Sequence, residues 1–517
     1  MRHSFRSFCT FACVALTIGA GLIPAEPAAA ALKPTKTAAK TGAKTSGGAG
    51  MTRRVCGVYR AATSSAQWGT FDRPFAADSP WNSVPQIPVF GSATIPTSLY
   101  YPAVSSGNYS TQAFLAADTD PAVTVRGTTD SGVWDPDAEV YRSKIVIPHW
   151  PAGVTPATGS DGHAEIVDLS TGLVHSFWQL KLVSGKWQAQ QYAWTALAGR
   201  GFGDPSHYMQ GARSSGTSTL GGLIRTAEIS DGDSVYRHAL AMSLTNNALA
   251  SSPAYIFPAT SNDSDAATAN SGSIPLGALV MLPPTFDADS IANTDLRKVA
   301  NTLKRSGAYV VDRNSGTPFM IYVENGNDFS LMKNGWDSAV ANDLDRIRAA
   351  LRQVVAVSGW LDGDGNANTG FNTNQNLLSM RGFWYQTVGT TPGTFDTWKQ
   401  SVVFPTVVGG IEQVNAGGRA FSGVNWAQPT VGTTYRLVAK ATGGASLRVM
   451  IRSRSTGLTF VDSGLLVNGQ TFDFLWPVAD AVVVTDVVNS STGVAGSASA
   501  NLFAVAGATS ATSDCGK

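Results

Sequence analysis

Short β-branched and aromatic runs, each closed by Gly, Pro, Asn or Ser, recur along most of this chain and limit what it can fold into. KIVIPHW, HAEIVDL, LVHSFWQLKLV, KWQAQQYAWTAL, HALAMSL, AYIFPA, GALVMLPP, AYVVD and FMIYVEN all have the length and composition of strands. A second set, YRLVAKAT, LRVMIRS, FDFLWPV, AVVVTDVV and SANLFAVA, fills the tail. Two segments carry a helical period instead. In NTDLRKVANTLKRSG, Leu296, Val299, Ala300 and Leu303 form one stripe, with Asn293 or Thr294 to cap it and Gly307 to end it. In WDSAVANDLDRIRAALRQVVAV, Trp336, Val340, Leu344, Ile347, Leu351 and Val354 share a face. The expected fold is therefore mainly β. A β-sandwich or jelly-roll-like N-terminal domain with a packed helix spans 55–325, and a short helical connector spans 326–392. A C-terminal β-sandwich spans 393–517, with the architecture of a carbohydrate-binding accessory module.

The length of 517 residues exceeds one ordinary core. Lys and Arg total 37 against 36 Asp and Glu, which lacks the basic excess of a nucleic-acid binder. The first residues read as an export signal. MRHSFR supplies charge, FCTFACVALTIGAGLI an apolar stretch, and PAEPAAAA the small residues for cleavage near Ala30–Ala31. The expectation is a secreted or periplasmic protein, monomeric and free of the membrane once residues 1–31 are removed. Residues 32–54 are rich in Lys, Thr, Ala and Gly and are expected to be a disordered linker. Cys56 and Cys515 remain after cleavage, and an oxidising compartment lets them pair.

The stretch 160–179, SDGHAEIVDLSTGLVHSFWQ, carries the densest chemistry. LSTG reads as a turn between two strands, which sets Asp168 opposite Leu173 and Glu165 opposite Ser176. One face then carries His163, Glu165, Ser176 and Trp178. The other carries Ala164, Ile166, Leu173, His175 and Phe177, a core face on which His175 is structural. An indole stacks on the C–H face of a sugar, and Glu and His move protons at a glycosidic oxygen. The alternative is a solvated sheet face.

All histidines beyond His3 fall at 149, 163, 175, 207 and 238. Two further stretches lie in that window. GRGFGDPSHYMQGARSSG reads as a polar loop that offers His207 and Tyr208 as substrate contacts. LIRTAEISDGDSVYRHALAMSL brings Arg225, Glu228, Tyr236 and His238 beside a strand. Two chemistries fit these residues. Glu165 and Glu228 can serve as the acid/base carboxylates of a glycoside hydrolase, with His163 and His238 handling protons and Trp178 as a stacking platform. Alternatively, Arg225 neutralises a uronate while Tyr236 and His238 run a β-elimination. A non-catalytic glycan-binding or cell-surface protein is the third reading, and a zinc site joining His163, Glu165 and His238 a fourth. No G-x-S-x-G elbow, Walker loop or Rossmann fingerprint is present.

No cofactor is required by these readings. LDGDGNANTG alternates Asp362, Asp364, Asn366 and Asn368 as oxygen ligands for a structural calcium, but Ala367 and Thr373 depart from the EF-hand pattern. The succession SDGHAEIVDLSTGLVHSFWQ, YRHALAMSL, SIPLGALVMLPP and LKRSGAYVVDRN resembles an uncharacterised family of secreted bacterial proteins over about residues 60–325. That resemblance implies a shared secreted domain and carries no activity. The expected partner is a polysaccharide or other glycan.

Overall fold

The computed structural model describes residues 68–368, 375–388, 394–406, 411–415, 421–491 and 493–505. The expected signal segment, the linker and the Cys56–Cys515 pair lie outside them. The described residues all belong to one compact unit. They are mainly β, arranged in six sheets.

The expected hairpin forms with the expected register. Ala164–Asp168 pairs antiparallel with Leu173–Trp178, Glu165 opposite Ser176 and Asp168 opposite Leu173. Gly172 closes the turn at φ 70°, a region that costs other residues a Cβ clash. Asp168 ties the turn by accepting from Ser170 N–H at 3.0 Å and Thr171 N–H at 3.2 Å. The hairpin lies centrally in a six-stranded sheet, between Ala113–Ala116 and Gln191–Ala196.

Both faces of that sheet are covered. Ala164, Ile166 and Phe177 join Val125, Ile145 and Ile147, from a four-stranded sheet, in one core. Val167 and Val174 join a larger core with the seven-stranded sheet around Leu240–Thr245 and Ala308–Asn314. The face that composition marks as polar is thus interior.

The helix Thr294–Arg305 forms as expected, with the Asn293 side chain accepting from Leu296 N–H at 2.9 Å. The second helix is shorter than its stripe. It runs Ser338–Ala350, and Leu351 turns to extended backbone at φ −60°, ψ 136°. The RQVVA that follows is β-branched and becomes the strand Arg352–Ala356, paired with Leu279–Met281. Residues 326–356 therefore belong to the first domain: Val340, Leu344 and Ile347 enter the larger core, and Trp336 lies exposed before the helix. AYIFPA also departs from expectation. Tyr255 makes only an isolated bridge to Leu276, and prolines 253 and 258, without N–H groups, cannot extend a ladder.

The C-terminal β-sandwich has two five-stranded sheets. It begins with Trp384–Val388, earlier than the composition change at 393. Three indoles stitch it to the body. Trp398 Nε1–H donates to Tyr192 Oη at 2.7 Å, and Trp194 Nε1–H to Thr397 Oγ1 at 3.1 Å. Trp426 Nε1–H donates to the Ala259 carbonyl at 2.6 Å.

Candidate functional site

The residues singled out in the hairpin separate once the sheet is buried. Glu165 has no exposed surface. Its carboxylate accepts from the hydroxyls of Ser176 (2.6 Å), Ser218 (3.0 Å) and Thr219 (2.5 Å), and from Thr219 N–H (2.9 Å). Burial pushes its pKa up in spite of these donors. Glu165 thus ties the hairpin to the 218–219 loop inside the protein and does not line the cavity that holds Glu228.

His163 and Trp178 stay together. Trp178 Nε1–H donates to Asp161 Oδ1 at 3.3 Å, and His163 Nε2 lies 3.9 Å from Asp161 Oδ2. His163 Nδ1 lies 3.2 Å from the Phe177 carbonyl. Burial, reinforced by the Arg213 charge, pushes His163 down to about 3, so it is a neutral donor to that carbonyl at physiological pH. Arg213 is itself buried, donates to Asp312 Oδ2 at 3.1 Å and sits 3.8 Å from the Tyr322 ring centroid. His175, expected to be structural, is fully buried with Nδ1 2.7 Å from Tyr192 Oη.

His207 and Tyr208 are corrected from substrate contacts to seam residues. His207 Nε2 lies 2.9 Å from Asp137 Oδ2, and its ring sits 4.4 Å from that of Trp194. Asp137 Oδ2 also accepts from Gln400 Nε2–H at 2.8 Å and Thr397 Oγ1–H at 3.1 Å, both on the C-terminal sandwich. Burial opposes charge on His207, but the Asp137 carboxylate outweighs it and raises the pKa. The Arg381 guanidinium stacks over the Tyr208 ring at 4.0 Å. A Gly-rich loop reads as a free surface in sequence, and the docked sandwich is what covers it.

The stretch 223–244 leads to a cavity. A pocket of about 460 Å³ is lined by Arg225, Glu228 and His238 together with Trp68, Arg73 and Trp81, among others. That volume falls in the range of roughly 300–1,000 Å³ common to small-molecule sites. His238 Nε2–H donates to Glu228 Oε2 at 3.0 Å, and His238 Nδ1–H to the Ala239 carbonyl at 2.8 Å. Both ring nitrogens donate, which suits an imidazolium. Burial would remove its charge, but Glu228 raises its pKa. Burial would likewise protonate Glu228, but the His238 charge and hydrogen bond hold its pKa below the ordinary value. Glu228 Oε2 also accepts from Arg225 N–H at 3.0 Å across the first turn of the short helix Thr226–Ile229. Among the described residues, Oε1 has no partner and is the oxygen left for a ligand.

Two expected partners of Glu228 are not available for chemistry there. Arg225 is spent on Glu324 Oε2 at 3.1 Å and on the Phe71 carbonyl at 2.6 Å. Tyr236 is buried beneath Lys298, whose Nζ lies 4.6 Å from its ring, and does not line the pocket. Burial pushes the Tyr236 phenol well up, away from a base role at neutral pH.

The far wall was not legible in the sequence. Trp68, Asp72, Arg73 and Trp81 come from a segment some 150 residues before Glu228, with no spacing to announce them. Trp81 stacks on Phe202 at 5.2 Å and 12°, and Gly222 comes under it at φ 67°. A Cβ at Gly222 would meet Trp81 Cζ3 and Ala241 N, each at 2.5 Å. Gly222→Ala is therefore expected to cost about 1–3 kcal/mol and to disturb the pocket floor, read as a lower urea midpoint and altered indole fluorescence.

The Asp/Asn loop borders this wall. Asp362 Oδ1 accepts from Asp364 N–H at 3.0 Å and Asn366 N–H at 2.8 Å, and Asp364 Oδ1 accepts from Trp68 Nε1–H at 2.8 Å. Asn368 sits in the short strand Ala367–Asn368. Thr373 falls outside the described residues. Of the four residues proposed for calcium, Asp362 thus holds the turn and Asp364 a pocket tryptophan. His163, Glu165 and His238 do not converge, and no cluster of three His, Cys, Asp or Glu suited to a metal ion is present among the described residues.

No family model matches this chain, and no curated protein matches it. Among solved structures it is similar to the glycosylation-associated Gap123 complex of Streptococcus agalactiae, at 13% identity and a TM-score of 0.17. That match covers 24% of this chain and 45% of the other, so this chain spans less than half of it. The enzymatically active domain of tailspike protein 4 from bacteriophage CBA120 matches at 15% identity and a TM-score of 0.18, over 27% of this chain and 21% of that one. A structure described as "CBM4 structure and function" matches at 16% identity and a TM-score of 0.16, over 24% of this chain and 86% of that one. Likenesses this slight carry no function across.

Proposed function

We propose that this protein is a secreted, glycan-active hydrolase whose sugar site is the Trp68–Trp81 pocket. One observation carries the reading: Glu228 hydrogen-bonded to His238 in a cavity that the Trp68 indole also lines. The partly exposed Trp68 indole suits the apolar face of a sugar ring, and the buried Trp81 packs behind the wall. A carboxylate whose pKa is held down acts as base or nucleophile and not as acid. Of the other wall carboxylates, Asp72 lies exposed with no ion-pair partner among the described residues. The rest are engaged, Asp231 by Lys298 at 2.5 Å and Asp233 by Arg237 at 2.8 Å. His238 is a positioning residue that keeps Glu228 charged. The elimination reading loses support because Arg225 and Tyr236 are spent elsewhere.

The test is a screen of the full chain on neutral and uronate polysaccharides, recording reducing ends and absorbance near 235 nm together. Reducing ends without absorbance are expected. Glu228→Gln keeps the oxygen that caps Arg225 N–H, so it should stay folded yet lose about 100-fold or more in rate. Full activity in Glu228→Gln, or absorbance rising with the reducing ends, overturns the proposal.

A further inference from the structure

Resting on that pocket as the sugar site, we infer that Asp364 is a positioning residue, which together with Gly363 fixes the Trp68 indole as the sugar contact of the wall. Trp68 lines the cavity, is only partly buried and stands in neither a helix nor a strand. Its ring therefore needs support from outside its own segment. Asp364, 296 residues further along the chain, accepts from Trp68 Nε1–H at 2.8 Å. Gly363 lies against the six-membered ring: a Cβ there would meet Trp68 Cζ2 at 2.3 Å and Cε2 and Cη2 at 2.8 Å each. The direction of the hydrogen bond limits rotation of the indole, and the missing side chain lets it settle against the backbone.

The turn that carries this pair is built independently of the Asp364 side chain. It joins the strands Gly359–Leu361 and Ala367–Asn368, and the first of these pairs with Val84–Gln86. Asp362 Oδ1 closes it by accepting from Asp364 N–H and Asn366 N–H, and Gly363 N–H donates to the Ala77 carbonyl at 2.9 Å. Asp364 is exposed, and among the described residues its carboxylate accepts from the indole alone. Removing that carboxylate frees Trp68 without opening the fold. Stacking on Trp68 is made by the bound sugar and by the transition state alike, so a loosened indole raises KM and leaves kcat. Gly363 offers a second handle. Its backbone is not in the left-handed region, and the three atoms nearest an added Cβ all belong to Trp68.

The experiment uses the full chain, and its first half needs no sugar. Acrylamide quenching is recorded for the parent, Asp364→Ala, Asp364→Asn and Gly363→Ala, each with and without Trp68→Ala, so that the Trp68 emission is read as a difference. Trp68 should be quenched more readily in Asp364→Ala and Gly363→Ala than in the parent. Asp364→Asn keeps an oxygen for Nε1–H and should stay near the parent. The second half follows reducing-end release from the polysaccharide cleaved fastest in the screen above. Asp364→Ala and Gly363→Ala should raise KM about threefold to tenfold with kcat within about twofold, and neither should add to the KM of Trp68→Ala. Unchanged quenching in both variants, or a KM rise that persists in the Trp68→Ala background, overturns the positioning inference alone. A KM unmoved by Trp68→Ala, or no release from any polysaccharide, overturns the sugar-site reading with it.

Discussion

Glu165→Ala is expected to lower the stability of the fold by about 3–5 kcal/mol. Removing the carboxylate strands three hydroxyls, of Ser176, Ser218 and Thr219, and the Thr219 N–H, all in the interior. Glu165→Gln should be milder, about 1–2 kcal/mol. Its oxygen can keep the Thr219 N–H, and the two serine hydroxyls can turn to accept from its amide. Urea unfolding of the three proteins gives the comparison. Activity per folded molecule should be retained in Glu165→Gln, in contrast to Glu228→Gln. An alanine variant within about 0.5 kcal/mol of the parent would remove Glu165 as the tie between hairpin and loop.

A drop in pH from 7 to 5 should weaken the fold through two histidines. Burial is the main cause holding His163 down to about 3 and His175 to about 4, against an ordinary value of 6.5. The sign follows from which state binds protons. The unfolded chain protonates these rings near 6.5 and the folded chain does not, so their stabilisation is complete above 6.5 and drains away as the pH falls. At pH 5 the loss is about 2 kcal/mol for each ring. Asp263 works in the other direction, because burial lifts it to about 6 and its protonation favours the folded state. Its effect is smaller, and a subtraction removes it. The double variant His163→Asn, His175→Asn keeps a polar atom near each Nδ1 and lacks both titrations. The urea midpoint of the parent should fall from pH 7 to pH 5 by more than that of the double variant. Parallel falls in the two proteins would sink the assignment.

Local chemistry was readable in the sequence wherever the chain decides structure on its own. The hairpin register followed from a turn with Gly172, and the first long helix from its stripe and its Asn293 cap. What failed were inferences about which surface faces water. Glu165 and His163 sit on a face with polar composition, but a second sheet covers it, and pairing two sheets is a long-range event with no local signature. The same holds for His207 and Tyr208, covered by a sandwich whose first strand starts at Trp384. Glu228 and His238 could be singled out because ten residues separate them, from a short helix to the bend before the strand Leu240–Thr245. Trp68, Arg73 and Trp81 could not, since only the folded chain returns that early segment to the wall of the pocket.

The hydrogen-bonded run from Trp398 through Tyr192 to His175 has a consequence for how this chain can be divided. A change of composition near residue 393 looks like a place to cut, and the sandwich after it looks like a cassette. Cutting there would leave the Tyr192 hydroxyl without its indole donor and Asp137 without Thr397 and Gln400. Those polar groups would then face solvent, along with the Trp194 indole N–H that donates to Thr397. The two halves read as modules in the text of the chain, but they are finished surfaces only for each other. A recombinant that swaps the sandwich would have to carry across Thr397, Trp398 and Gln400 to be received.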